Sequence, residues 1–253
     1  MQAEVEQFAR GTSPLHAWDA RWKVVSLAVL MLVLASLDSL SVATLGAAGA
    51  LAVLACGRLP LRFLARRLIA AQVFLLPCLL VLPLTFTGAP LWIGGVRLSG
   101  EGLRVASLFY LRALALVAVA MALVYSTPMT SLLRALQELR LPRILVALAL
   151  LTHRYLSTLA GEFTRMRWAL AARGFSPRPR PAAWRPLANV VGVALVRSLE
   201  RTERLQHATR SRGYTGRLRS LQPFPGGPAN WLKSAACLGA ALGLWFLDRG
   251  PGT

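Results

Sequence analysis

Acidic residues are scarce in this 253-residue sequence, which has 10 of them against 29 lysines and arginines. Its three cysteines and three histidines are scattered along the chain. Protein metal sites instead draw on closely spaced ligands, as in C-x-x-C or H-E-x-x-H. We therefore predict that this chain itself binds no metal, has no disulfide framework, and uses its cysteines as small apolar residues.

The sequence also lacks an ATP-binding motif. A phosphate-binding loop reads G-x-x-x-x-G-K followed by Ser or Thr. The nearest match begins at Gly227 and ends in Lys233-Ser234, but Leu232 stands where the second glycine is required. No G-x-S-x-G motif and no paired carboxylate cluster is present either. We predict that the chain is not an enzyme, and the scarcity of acids and histidines also argues against a lipid-modifying membrane enzyme.

What the sequence has in excess is apolar residues, which make up 55% of the chain. This is more than one soluble core of this size requires. A helix that crosses a bilayer needs about 17–25 mostly apolar residues. Five stretches approach that length and predict an all-α, polytopic membrane bundle. They are residues 22–37, 40–56, 68–87, 105–126 and 231–247.

Basic residues are placed unevenly around these stretches. Arg21 and Lys23 flank the first one and four arginines follow the second within 58–67, whereas the turn after the first carries Asp38. Because positive charges favour the cytoplasmic side, we predict a cytoplasmic amino terminus. The expected location is the bacterial or archaeal cell (inner) membrane, which the chain would cross several times. The predicted domains are a four-span bundle at 1–126, an arginine-rich cytoplasmic region at 127–230 and a last membrane helix at 231–253.

Arg112 is the one charge well inside a predicted span. An ionised group at such a depth is by default a functional candidate, but a long side chain can also pair with neighbouring groups or reach the interface. We favour a structural partner for Arg112 inside the bundle.

Residues 127–230 contain 17 arginines and only four acids. Apolar residues recur at steps of three and four from Leu148 to Leu170, which predicts an amphipathic helix. A second, more weakly patterned helix is predicted from about 187 to 212. The proline-rich residues 176–181 predict an extended link between the two helices. We expect both helices to lie along the inner face of the membrane or under the spanning bundle.

Both predicted helices end in the same pattern. Arg165 precedes Arg173-Gly174 by two helical turns, and Arg204 precedes Arg212-Gly213 by the same interval. Repeated capping would explain the glycines, since glycine closes a helix and a last-turn arginine complements its dipole. We favour a shared binding role, because guanidinium groups bind carboxylates in a bidentate manner. Two such ends suit a pair of similar acidic protein subunits.

Two other classes fit part of the pattern. The pI near 11.7 would suit a membrane-tethered nucleic-acid-binding protein. However, the arginines recur at helix ends, and the segment lacks a basic surface interleaved with aromatic residues. The permease half of an ordinary ABC transporter would fit the membrane spans but would need two copies or a twin.

Three short segments carry a family resemblance. They are SPLHAWDARWK at 13–23, HRYL at 153–156 leading to ARGF at 172–175, and RSLER at 197–201 leading to SRGYTG at 211–216. Together they resemble the transmembrane T component of energy-coupling factor (ECF) transporters, and most closely its cobalt-transport, CbiQ-like branch. One departure is Ser211, where the family usually has alanine, and we expect weakened packing at most.

This resemblance implies a non-catalytic subunit that couples two ABC ATPases to a separate substrate-binding membrane (S) subunit. ATP and magnesium would be held by the ATPases and the transported metal by the S subunit, with no cofactor and no nucleic acid on this chain. Cobalt is the implied substrate, with nickel or a vitamin such as biotin as alternatives. The implied ATPase-binding residues are Ala172, Arg173, Gly174, Ser211, Arg212 and Gly213, with Glu162, Arg165, Arg201 and Arg204 as secondary candidates.

Overall fold

The computed structural model describes residues 11, 13, 15–57, 60–85, 90–93, 96–175, 184–214 and 227–250. Within these residues it confirms the predicted all-α architecture and adds one short β-hairpin. The elements in chain order are α1 (Ala20–Ser36), α2 (Leu40–Ala55), α3 (Leu61–Thr85), β1 (Pro90–Ile93), β2 (Val96–Ser99), α4 (Gly100–Tyr125), α5 (Met129–Glu138), α6 (Arg143–Ala172), α7 (Trp184–Ser211) and α8 (Pro228–Arg249).

The chain divides into two compact units. One contains Met1–Ala135 together with Pro223–Thr253, and the other contains Leu136–Gln222. The first unit therefore joins the four amino-terminal membrane-type helices to α8, although α8 follows them only after α6 and α7 in the chain.

In the first unit, α4 packs against α1, α2 and α3, while α8 packs against α1. The core between these helices includes Leu27, Leu34 and Val119, each no more than 1% exposed. Gly46 allows α2 to approach α1 closely, because a Cβ atom at this position would lie 2.7 Å from Leu34 Cδ2. Small residues at helix contacts are typical of membrane bundles.

The outward face of this unit is apolar. On α3, Val73, Phe74 and Leu80 are 70%, 77% and 67% exposed. Among the described residues, three helices are long and apolar enough to cross a membrane, namely Arg62–Thr85, Gly100–Tyr125 and Arg143–Ala172. The first two match the third and fourth predicted spans, whereas α1 and α2 have only 17 and 16 residues.

The third of these helices, α6, was not among the predicted spans. The sequence pattern places it in the cytoplasm because charged residues interrupt its apolar stripe from Arg154 onward. The structure extends the helix back to Arg143, which adds an apolar first half. Its cytoplasmic placement stays a prediction.

The connection between α3 and α4 differs from the expected loop at 88–104. Strands β1 and β2 pair antiparallel there, with Leu91 opposite Leu98 and Ile93 opposite Val96. The overlooked signal is Gly94-Gly95 between two apolar runs, a favourable two-residue hairpin sequence. Helix α4 also begins earlier than predicted, where Ser99 Oγ accepts a hydrogen bond from the Gly102 N–H at 3.2 Å.

Arg112 has a partner, but the pair does not lie deep within the bundle. Its guanidinium donates to Asp38 Oδ1 at 2.9 Å. Asp38 lies in the turn between α1 and α2, and its side chain is 91% exposed. Arg112 therefore has a structural partner, as predicted, but that partner lies in an exposed turn and not inside the bundle.

The second unit contains α6 and α7. Helix α7 runs over 184–211, close to the predicted 187–212. The proline-rich link predicted at 176–181 lies outside the described residues.

Candidate functional site

The carboxyl end of α6 is closed by a Schellman motif. The Phe175 N–H donates to Leu170 O at 3.1 Å, and the Gly174 N–H donates to Ala171 O at 3.0 Å. Gly174 has a φ of +76°, in the left-handed region that favours glycine. Arg173 is the C-cap residue and its side chain is exposed.

The end of α7 has the same construction. The Tyr214 N–H donates to Thr209 O at 3.1 Å and the Gly213 N–H donates to Arg210 O at 3.0 Å. Gly213 also has a φ of +76°. Arg212 therefore occupies the position that Arg173 has on α6, and it is also exposed. The repeated sequence pattern corresponds to a repeated backbone structure.

Capping explains the glycines but leaves the arginine side chains unused. Within the described part of the chain, neither the Arg173 nor the Arg212 guanidinium has a hydrogen bond or an ion pair. Each charge lies at a helix carboxyl end, where the helix dipole favours a cation. The backbone hydrogen bonds fix each helix end, and each arginine side chain is exposed and free to bind a carboxylate.

The other residues of the two ends are accessible as well. Ala172 and Ser211 are the last residues of their helices, and both are exposed. Ser211 Oγ donates to His207 O at 2.9 Å, so the hydroxyl is satisfied within its own helix. The departure from alanine at this position introduces no unpaired polar group.

Two of the four secondary candidates are brought together. Arg201 of α7 donates a charge-assisted hydrogen bond to Glu162 of α6, and these side chains are 29% and 13% exposed. Their separation in the sequence equals the separation of Arg173 from Arg212. The ion pair thus joins equivalent positions of the repeat.

The remaining two candidates, Arg165 and Arg204, are exposed. Arg204 Nε donates to Glu200 O of its own helix at 3.3 Å. Arg165 lies one turn after Glu162 on α6, where side chains three residues apart are neighbours. The structure therefore associates Arg165 with the ion pair but does not bring Arg204 to it.

A groove of about 590 Å³ lies between the carboxyl-terminal half of α6 and the amino-terminal half of α7. Arg173 and Arg197 contribute its charged groups, and its apolar wall includes Leu170, Phe175 and Val193. Sequence reasoning missed Arg197 as a site residue. The available signal was helical spacing, because Arg197 lies one turn before Arg201 on the same face of α7.

The described residues contain no group of three or more His, Cys, Asp or Glu side chains arranged to hold a metal ion. The prominent polar feature of this unit is instead its set of exposed arginines at two equivalent helix ends.

Comparison with known proteins decides the family. The CbiQ family profile, described as cobalt transport protein, matches residues 11–223, which include both Arg-Gly helix ends. The chain belongs to the CbiQ family. The CbiQ-like resemblance of the three short segments is therefore confirmed.

Two curated proteins are similar to this CbiQ-family chain. Cobalt transport protein CbiQ of Rhodobacter capsulatus is 34% identical over 177 residues, covering 66% of each chain. An uncharacterized protein of Methanocaldococcus jannaschii is 28% identical over 122 residues, which cover 48% of this chain and 45% of that protein. The chain thus spans just under two thirds of the first relative and less than half of the second.

Proposed function

We propose that this CbiQ-family chain is the transmembrane T component of an ECF-type importer for cobalt ions. Two ABC ATPases dock on the ends of α6 and α7, with Arg173 and Arg212 as the principal contacts. ATP-driven movement of the ATPases shifts the two helices, and the chain transmits that movement to a substrate-binding membrane subunit.

The observation that carries this proposal is the equivalence of the two helix ends. Both present an exposed C-cap arginine before a glycine with the same φ of +76°. A pair of similar ATPases needs a pair of similar docking sites, and one chain that carries such a site twice supplies them. Repeated capping alone would account for the glycines but would not require arginine at both C-caps.

Electrostatics supports the same choice of partner. The segment 127–230 carries 17 arginines and four acids, so acidic surfaces are attracted to it. Guanidinium groups bind carboxylates through two parallel hydrogen bonds. A desolvated contact of this kind contributes about 1.5–3 kcal/mol.

The proposal also assigns the ligands to the different subunits. The chain has no phosphate-binding loop, so ATP and magnesium are assigned to the ATPases. The transported ion is assigned to the S subunit, which sets selectivity. Family membership makes cobalt the first choice, with nickel or a vitamin such as biotin as the alternatives.

Accumulation of radioactive cobalt tests the proposal. Cells should express the chain together with its two ATPases and the S subunit, and matched strains should each lack one component. We expect accumulation only in the complete strain, and its loss when the ATPases carry an inactivating substitution in their phosphate-binding loop. Full accumulation without the ATPases would contradict the coupling role, and uptake of nickel or biotin in place of cobalt would reassign the substrate.

A further inference from the structure

The Glu162–Arg201 ion pair, where α6 and α7 meet, lies the same number of residues before each docking end. Arg173 follows Glu162 by about three helical turns, and Arg212 follows Arg201 by the same interval. At about 1.5 Å per residue, each end lies about 16 Å along its helix from the ion pair. We call residues 162–173 the α6 arm and residues 201–212 the α7 arm.

The two arms also present equivalent faces. An interval so close to a whole number of turns brings each arginine back to nearly the same side of its helix as the ion-pair residue of that arm. On the α6 arm, Met166 and Ala169 lie between them on this face, and both line the groove. The equivalent residues of the α7 arm are Leu205 and Ala208.

Resting on the function proposed above, we propose that the Glu162–Arg201 ion pair is the pivot between two equal arms. Glu162 and Arg201 are then positioning residues, because they set the spacing of the two ATPase-docking ends without touching the ATPases themselves. A symmetric ATPase pair requires that spacing to be the same on both sides of its axis.

The charges around Glu162 explain why the pivot depends on this carboxylate. Besides Arg201, the Arg165 and Arg197 side chains act on its charge. Arg165 lies one turn after Glu162 on α6, and Arg197 lies one turn before Arg201 on α7, so two further arginines neighbour the ion pair. Removing the carboxylate leaves three like charges that repel one another, which separates the arms. Arg165 and Arg197 are exposed, so solvent screens part of this repulsion, whereas the Arg201 and Glu162 side chains are only 29% and 13% exposed.

The direct test is the distance between the arms in the full-length chain, purified in lipid nanodiscs. Cys56, Cys78 and Cys237 are replaced by alanine, and spin labels are attached at Ala171→Cys and Arg210→Cys. Both label positions are exposed, and they occupy equivalent positions near the ends of the two arms. Pulsed electron paramagnetic resonance then gives the distribution of label distances.

When Glu162 and Arg201 are both unaltered, we expect one narrow distribution of label distances. Glu162→Ala and Arg201→Ala should each broaden it and shift it to longer distances, and the double variant should add nothing beyond the single ones. Glu203→Ala is the matched control, because Glu203 is exposed on the same helix as Arg201. Where Glu162→Ala does not fold, Glu162→Gln provides the same loss of charge with the side-chain size retained.

A second readout separates positioning from folding. With its partners present, Glu162→Ala should still co-purify with both ATPases but import several-fold less substrate per ATP hydrolysed. Distances in Glu162→Ala and Arg201→Ala that match the Glu203→Ala control would overturn the pivot, even with the ATPases bound. Failure of the proposed function would look different, since the unaltered chain would then retain no ATPase.

Discussion

Lys23, near the start of α1, donates a hydrogen bond from Nζ to the carbonyl oxygen of Ser126, the C-cap residue of α4, at 3.1 Å. The same ammonium group donates to Ser126 Oγ at 2.9 Å and to Thr127 Oγ1 at 3.0 Å. Lys23 is 1% exposed, so all three donors are used within the protein. A side-chain donor at a helix carboxyl end satisfies a carbonyl that the helix leaves unpaired.

Replacing Lys23 should therefore weaken the first unit. Lys23→Met keeps the length of the side chain but leaves the Ser126 and Thr127 acceptors buried without a donor. We expect a loss of at least about 2 kcal/mol in folding free energy, measured by thermal unfolding in detergent. Thr127→Val removes only one acceptor and should cost less. Equal stability of Lys23→Met and the unaltered chain would show that this contact does not hold the helices.

Asp248, near the end of α8, caps the amino terminus of α2 although it belongs to a different helix. Its Oδ1 accepts hydrogen bonds from the Ser39 N–H at 2.8 Å and from Ser39 Oγ at 2.7 Å, and its Oδ2 accepts from the Asp38 N–H at 2.9 Å. The Ser39 side chain makes no capping hydrogen bond to α2 itself. The helix amino terminus thus relies on a carboxylate that lies far away in the chain.

Asp248→Asn should lower the thermal unfolding temperature, with a cost of about 1 kcal/mol, because a neutral amide is a weaker acceptor and interacts less favourably with a helix amino terminus. The control is Asp38→Asn, the same chemical change at a side chain that is 91% exposed. Its loss should be smaller, since exposed ion pairs contribute little. A larger loss of stability in Asp38→Asn than in Asp248→Asn would rule out the role of Asp248 as a cap.

The two helix-end glycines should be sensitive to alanine for a backbone reason. A Cβ atom at Gly174 or Gly213 would meet no atom within 4 Å, so only the φ of +76° opposes it. We expect each substitution to cost about 1–2 kcal/mol in the closure of its helix and to weaken ATPase binding. Gly192→Ala, in the interior of α7 with equally open space, should instead be neutral or stabilising. Unchanged ATPase affinity in Gly174→Ala and Gly213→Ala would mean that the end conformation is not recognised.

Part of this architecture follows directly from local sequence. Apolar runs predict α3 and α4 because their length matches a bilayer, and the Arg-Gly pattern predicts two similar helix ends because glycine adopts positive φ readily. The side of the membrane on which α6 lies does not follow in the same way. The apolar first half of α6 favours a place in the membrane, whereas its charged second half favours the cytoplasm.

Contacts between distant residues were beyond sequence reasoning. Residues 13–23 were recognised as a motif, but their role depends on partners elsewhere in the chain. Trp18 Nε1 donates to Ser234 Oγ at 3.0 Å, and Lys23 reaches Ser126. The Glu162–Arg201 pair was similarly hidden, since each residue was a candidate but nothing local indicates that they touch. Such pairings depend on how the helices pack.

We propose that Arg173 and Arg212 hold the two ATPases, and co-purification of the ATPases with a charge-reversed chain measures this. Arg173→Glu/Arg212→Glu should lose them from the complex. The matched control is Arg167→Glu/Arg185→Glu, which makes the same change in charge at exposed arginines of the same two helices and should retain both ATPases. An unchanged complex of one chain with two ATPases in the Arg173→Glu/Arg212→Glu variant would show that these arginines do not hold the ATPases.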